Sequence, residues 1–172
     1  MKYTKTHAAV CGLYCPACTL FIATQEDPKR LELLAKQFGS TTEELRCNGC
    51  RSDKRIPYCD TCKMYPCAQE KGVDFCGECD DFPCEIIKEF QAAAAHRFEL
   101  WESQDKLAKK GYKTWMKEMK INYSCPKCEI INSAYDFQCR KCGSKPSNKY
   151  TENHGKEIMK FLAEQQNLSK IE

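Results

Sequence analysis

Long apolar runs are what this sequence most plainly lacks. No stretch approaches the ~18 consecutive apolar residues of a membrane-spanning helix, so no membrane association is expected. The opening MKYTKTHAAV has no apolar core of a secretory leader, which gives a cytoplasmic expectation, a setting where thiols stay reduced. Histidine is scarce, at three of 172 residues, and no Ser-His-Asp set, phosphate loop or paired-carboxylate motif occurs. The chain therefore reads as non-enzymatic. An excess of one charge is missing too, since 27 Lys and Arg face 24 Asp and Glu for a formal +3. Metal-bound thiolates would carry that balance below zero.

Cysteine is abundant instead: fifteen residues, an odd number that argues against a disulfide scaffold. One pattern is written twice, as YCDTCKMYPCA and FCGECDDFPCE, offset by 17 residues. The aligned pairs are Cys59 with Cys76, Cys62 with Cys79 and Cys67 with Cys84, each last cysteine preceded by Pro66 or Pro83. A Cys-x2-Cys turn presents two sulfurs to one metal ion, so six cysteines repeated in register point to metal binding rather than core packing. Upstream lie Cys11, Cys15 and Cys18, then Cys47-Asn-Gly-Cys50. Downstream, Cys125-x2-Cys128, ten residues, and Cys139-x2-Cys142 have the spacing of a zinc ribbon, two knuckles clamping one tetrahedral ion between short strands.

Helix signals fill the intervals. Pro16 can open a helix through 19–25, and Asp27-Pro28 is a cap followed by a first-position proline, leading to Gly39. Ser40 to Glu43 fits a capping box. Pro66 and Pro83 are expected to open helices, the second running to about Lys110 through Ala92–Ala95. Gly111 breaks that pattern, a basic helix resumes over 112–120, and a polar linker at 144–150 precedes a short helix at 156–166. The expected fold is small, metal-stapled and mostly α, with irregular zinc knuckles and a C-terminal zinc ribbon carrying a short β-hairpin. Its segments would be a cysteine-rich metal-binding lobe over 1–100, a basic helical connector over 101–122, the ribbon over 123–149 and a C-terminal helix over 150–172.

With the ribbon's four cysteines set aside, eleven remain, and eleven does not divide into tetrads. The Cys-x2-Cys pairs 15/18, 47/50, 59/62 and 76/79 would make two sites and leave Cys11, Cys67 and Cys84 spare. Triplets 11/15/18, 59/62/67 and 76/79/84 would each need one more ligand, two of them Cys47 and Cys50 and the third His7, a carboxylate or water. Either arrangement implies about three or four Zn2+ per chain. His96 and His154 read as non-ligands.

The stretches CGLYCPAC, CNGCRSD and FCGECDDFPCEII leading into HRFELW together resemble a cysteine-rich bacterial and archaeal family of unknown function, over roughly residues 8–143. That resemblance implies a small zinc-binding protein, a Gly-containing helical pair and a terminal ribbon, and supplies no reaction. The run C-x3-C-x2-C also suits a [4Fe–4S] cluster in the N-terminal lobe, but the barrel of radical enzymes has no counterpart here. The functional expectation is a multi-zinc module mediating protein or nucleic-acid interaction. Lys106, Lys109, Lys110, Lys113, Lys117, Lys120, Arg140, Lys141 and Lys145 would form its basic face. The alternative is an iron–sulfur redox or metal-handling protein.

Overall fold

The computed structural model describes residues 3–168. Helix α1 (Thr19–Glu26) follows a 3-10 turn over Cys15–Ala17, and α2 (Pro28–Gln37) starts one residue later. Asp27 makes this sharp junction possible. Its carboxylate accepts the free Arg30 amide at 3.1 Å, and Pro28 occupies a position where an N–H would have no helical partner. Ala23, Leu31, Ala35 and Leu45 close a small core between these helices. The capping box after Gly39 lies one residue later than its sequence suggested: Thr41 and Glu44 exchange the bonds.

Helix α3 (Met64–Glu70) begins before Pro66, which falls in its first turn where a missing N–H costs little. Helix α4 (Glu85–Ala92) begins after Pro83, with Cys84 as its cap. Neither proline is the first helical residue. The expected helix from Pro83 to Lys110 is also cut, because Ala94 is extended and Ala95–Arg97 form a 3-10 turn. Arg97 explains the cut. Its buried guanidinium sits 3.6 Å from the Phe90 ring centroid and donates to the Phe90 carbonyl at 2.6 Å, satisfying an acceptor that a continuing helix would have used.

Helix α5 (Leu100–Tyr123) is two arms joined at Gly111, whose φ of 73° and ψ of 160° are open to glycine and strained for other residues. The arms fold back on each other, since Trp115 Nε1 donates to Ser103 Oγ at 2.9 Å and Lys110 pairs with Glu118 at 2.8 Å. Helix α6 (Lys149–Leu168) starts earlier than 156, because Asn148 Oδ1 accepts the Thr151 amide at 2.8 Å. Thus much of the expected linker is ordered, and Ser147 and Asn148 are buried. Positions 169–172 of the expected terminal segment lie outside the described residues.

The main core gathers Tyr14, Phe75, Leu107, Trp115, Tyr123, Tyr150 and Ile158, drawing on almost every segment. Trp115, Tyr14, Tyr123 and Tyr150 form an aromatic column with successive centroids 5.9, 6.0 and 5.3 Å apart. The β-hairpin expected near residue 125 is absent among the described residues. A single antiparallel bridge, Ser124 with Ile131, stands in its place. Two backbone bonds flank it, Cys125 N to Ile130 O at 2.8 Å and Asn132 N to Tyr123 O at 2.9 Å, and the Asn132 side chain bonds the Ile130 and Ser147 carbonyls and the Arg140 amide.

Candidate metal centre

Cys125, Cys128, Cys139 and Cys142 offer four sulfurs that all lie within 4.8 Å of one another. The Cys125–Cys142 and Cys128–Cys139 separations are both 3.6 Å. Around a tetrahedral ion with metal–sulfur bonds of about 2.3 Å, thiolates stand ~4 Å apart, so this spacing fits one ion.

The two Cys-x2-Cys turns that build the group share one backbone plan. In each, the first cysteine's carbonyl accepts from the residue four on, Glu129 at 2.9 Å and Gly143 at 3.0 Å. The first cysteine's amide then donates five residues on, to Ile130 O at 2.8 Å and to Ser144 O at 2.9 Å. Glu129 and Gly143 take matching left-handed conformations, with φ of 58° and 73°. Donors surround the sulfurs: Ser144 Oγ lies 3.1 Å from Cys125 and 3.3 Å from Cys142, and the Lys127 amide donates to Cys125 at 3.4 Å. Burial opposes ionisation of Cys125, but Ser144 and the Cys128 and Lys127 amides prevail and draw its thiol down to about 6. Cys142 is lowered by the hydroxyl and amide of Ser144. The group can hold a metal ion. Sequence reasoning found its four cysteines but missed Ser144 and Asn132; no spacing rule marks a serine two residues past a knuckle.

The eleven other cysteines are all free thiols. Among the described residues, no three of them bring their sulfurs within 4.8 Å of one another, with or without His7. His7 instead packs on Phe21 and accepts the Thr4 amide at 3.0 Å. The thiols are nevertheless gathered. Cys11 and Cys15 are buried in one apolar cluster, against which Cys50, Cys62, Cys76 and Cys84 pack. The Cys50 amide donates to Cys15 Sγ at 3.4 Å. Burial raises the Cys11 and Cys15 thiols, and the neighbouring thiols, Cys50 foremost, add to it. Burial likewise pushes Cys47 up to about 11 and Cys59 up to about 12. So many would-be anions sharing an apolar site stay protonated without a cation to neutralise them.

A buried polar clamp fixes these loops on α5. Ser103 Oγ donates to Gly12 O at 2.6 Å, while Gln104 donates to Val10 O at 3.0 Å and accepts the Gly77 amide at 2.8 Å. A Cβ on Gly77 would come within 2.7 Å of the Gln104 carbonyl oxygen, so the turn Cys76-Gly-Glu-Cys79 needs glycine for this approach. Ser103 and Gln104 escaped sequence analysis, although they fall on the same helix face as Leu100 and Leu107.

Fold and site together define a mostly helical, cysteine-rich protein with a four-thiol group able to hold a metal ion. Residues 7–89 match the model of a family described as "Protein of unknown function (DUF3795)". The match takes in all eleven front cysteines and stops short of residue 143, leaving the four-thiol group outside. Neither the curated proteins nor the solved structures give a match. Among the described residues no helix is long and apolar enough to cross a membrane.

Proposed function

We propose that the protein is a non-enzymatic metal-binding module. Its rear four-thiol group serves as a closed zinc centre of the ribbon kind, and its front thiols take up further metal. The carrying observation is the set of four converging sulfurs at Cys125, Cys128, Cys139 and Cys142. All-thiolate, tetrahedral spacing suits zinc, and four protein ligands leave no open position for catalysis. The assembled surface would meet a cytoplasmic protein or nucleic-acid partner. Lys113, Lys117, Lys120, Lys141 and Lys145 are exposed, which supports a basic contact face. Other members of the basic set are engaged within the chain: Lys106 and Lys110 with Glu118, Lys109 with Asp105, and Arg140 with Glu26. The second reading, iron–sulfur or metal-handling chemistry at the front, is favoured because no three front sulfurs among the described residues lie within 4.8 Å of one another.

Metal analysis of the purified chain tests the reading. About one zinc per chain should be lost on Cys128→Ser with Cys142→Ser, while other bound metal stays. A chain whose rear thiols react freely and whose zinc content ignores that substitution would sink it.

A further inference from the structure

Charge is unevenly paired around the rear four-thiol group. Between Ser124 and Tyr150 stand five basic and two acidic side chains. Arg140 is taken by Glu26, and Asp136 by its two-pronged pair with Arg30. Lys127, Lys141, Lys145 and Lys149 are left exposed, and none makes an ion pair with a described residue. Glu129 is the single acidic side chain of the stretch remaining against them.

The sulfurs hold these lysines together. Lys127 and Lys141 take the same place in the two Cys-x2-Cys turns, each directly before the second cysteine. The turns close on each other, with Cys125–Cys142 and Cys128–Cys139 both at 3.6 Å. Lys145 follows Ser144, whose hydroxyl meets both Cys125 and Cys142. Lys149 opens α6, which Asn132 ties in: its side chain bonds Ser147 O at 3.2 Å and Cys139 Sγ at 3.7 Å. Ser144 Oγ, the Lys127 amide and Asn132 Nδ2 take up part of the charge that metal-bound thiolates carry. The ammonium groups, on long stems, are turned to solvent.

What this face lacks selects its partner. Protein interfaces are built round buried aromatic or aliphatic anchors. Yet the large exposed apolar side chains, Leu33, Phe38, Tyr58, Ile121, Met159 and Leu162, all lie outside 124–150. Tyr135 and Phe137 pack against the main core, so neither ring is free to stack on an unpaired base. Arg140, the side chain suited to a guanine edge, is occupied by Glu26 and Ile131 O. Most hydroxyl and amide groups that would meet a 2′-hydroxyl, those of Asn132, Ser133, Ser144, Ser147 and Asn148, are buried. What remains is point charge, which holds phosphate without reading sequence. We propose that Lys127, Lys141, Lys145 and Lys149 bind the phosphate backbone of duplex DNA, without base specificity. The assignment rests on the reading of the rear group as a closed metal centre, and it names the partner of the basic face beside it.

The zinc-loaded full chain, titrated against a labelled DNA duplex by fluorescence anisotropy, decides the matter. Four phosphate contacts predict that log affinity falls with log salt at a slope of about −3.6, the same for two unrelated sequences. Lys141→Gln and Lys145→Gln should each take about 0.9 off that slope, with zinc content and circular dichroism unchanged. Lys88→Gln, which removes an ammonium engaged by Glu85 on α4, should leave it as it was. A zinc-bound chain with no affinity for duplex overturns this assignment and spares the metal reading. A chain without rear zinc that still binds with that slope overturns the metal reading alone. A slope indifferent to Lys141→Gln and Lys145→Gln, or tighter binding of single strands or duplex RNA, overturns the assignment. Equal competition by polyglutamate overturns it as well, by giving the face to acidic protein. If a variant fails to fold, the slope and sequence independence of the unaltered chain decide unaided.

Discussion

His96 and His154 are held on opposite sides of the ordinary imidazole value, for reasons visible around each. Burial, with Arg97 beside it, pushes His96 down to about 4, and its Nδ1 meets the Tyr135 hydroxyl at 2.8 Å. Burial also works against His154, but hydrogen bonds to Glu157 and Glu99 outweigh it and raise the ring. The two contribute to stability in opposite windows. His96 resists protonation only when folded, so its contribution is whole above pH ~6.5 and is lost, by about 3 kcal/mol, as pH falls toward 4. The contribution from His154 is present below pH ~6.5 and disappears as pH rises through its folded value. An NMR titration should resolve two imidazoles on either side of 6.5; coincident midpoints would contradict both environments. Of this, the sequence left His96 either packed or on the surface, and its contact with Tyr135 makes it a packed residue. It hid His154's role, because Glu99 lies 55 positions away and meets it only after folding.

Among elements, the helical hairpin of α5 depends on one backbone conformation. A Cβ at Gly111 would touch nothing within 4 Å, so any cost of adding one is conformational rather than steric. Gly111→Ala is expected to destabilise the chain by about 1–3 kcal/mol, seen as a lower urea midpoint by circular dichroism. An unchanged midpoint would mean that the turn adopts other geometries freely. The glycine break and the Asp27-Pro28 start could be read in advance because both act through local backbone preference. The break at Ala94 could not: an alanine run favours helix, and the decisive contact is Arg97 reaching back to the Phe90 carbonyl. The missing β-hairpin has a similar cause. Cysteine spacing prescribes two turns but not what joins them, and past the Ser124–Ile131 bridge the Asn132 side chain bonds the Ser147 carbonyl and the Arg140 amide.

At the scale of the molecule, apolar burial among the described residues is spread over three clusters in a chain whose polar clamps tie distant segments together. Arg30 makes a two-pronged pair with Asp136, at 3.2 and 3.0 Å, across 106 positions of sequence. Such a chain should need its metal centres to unfold as a unit. Calorimetry after exhaustive chelation should therefore lose the cooperative transition; a metal-free protein that melts unchanged would end the stapling argument. All fifteen cysteines were conspicuous from spacing, and the rear four could be grouped from it. The front eleven could not, because their spacing allows both pairs and triplets, and among the described residues no three of their sulfurs lie within 4.8 Å of one another.

The buried clamp on α5 also gives the protein an optical gauge. The indole N–H of Trp115 bonds to Ser103, and Ser103 in turn holds Gly12 between Cys11 and Cys15. Loosening that loop would wet the indole and shift its emission to the red. Trp101 sits instead against Phe82 in the front cluster, on which Cys62, Cys76 and Cys84 also pack, so metal bound there would alter its emission. The two tryptophans thus report separately, one on whether the loops are seated and the other on what the sulfurs hold.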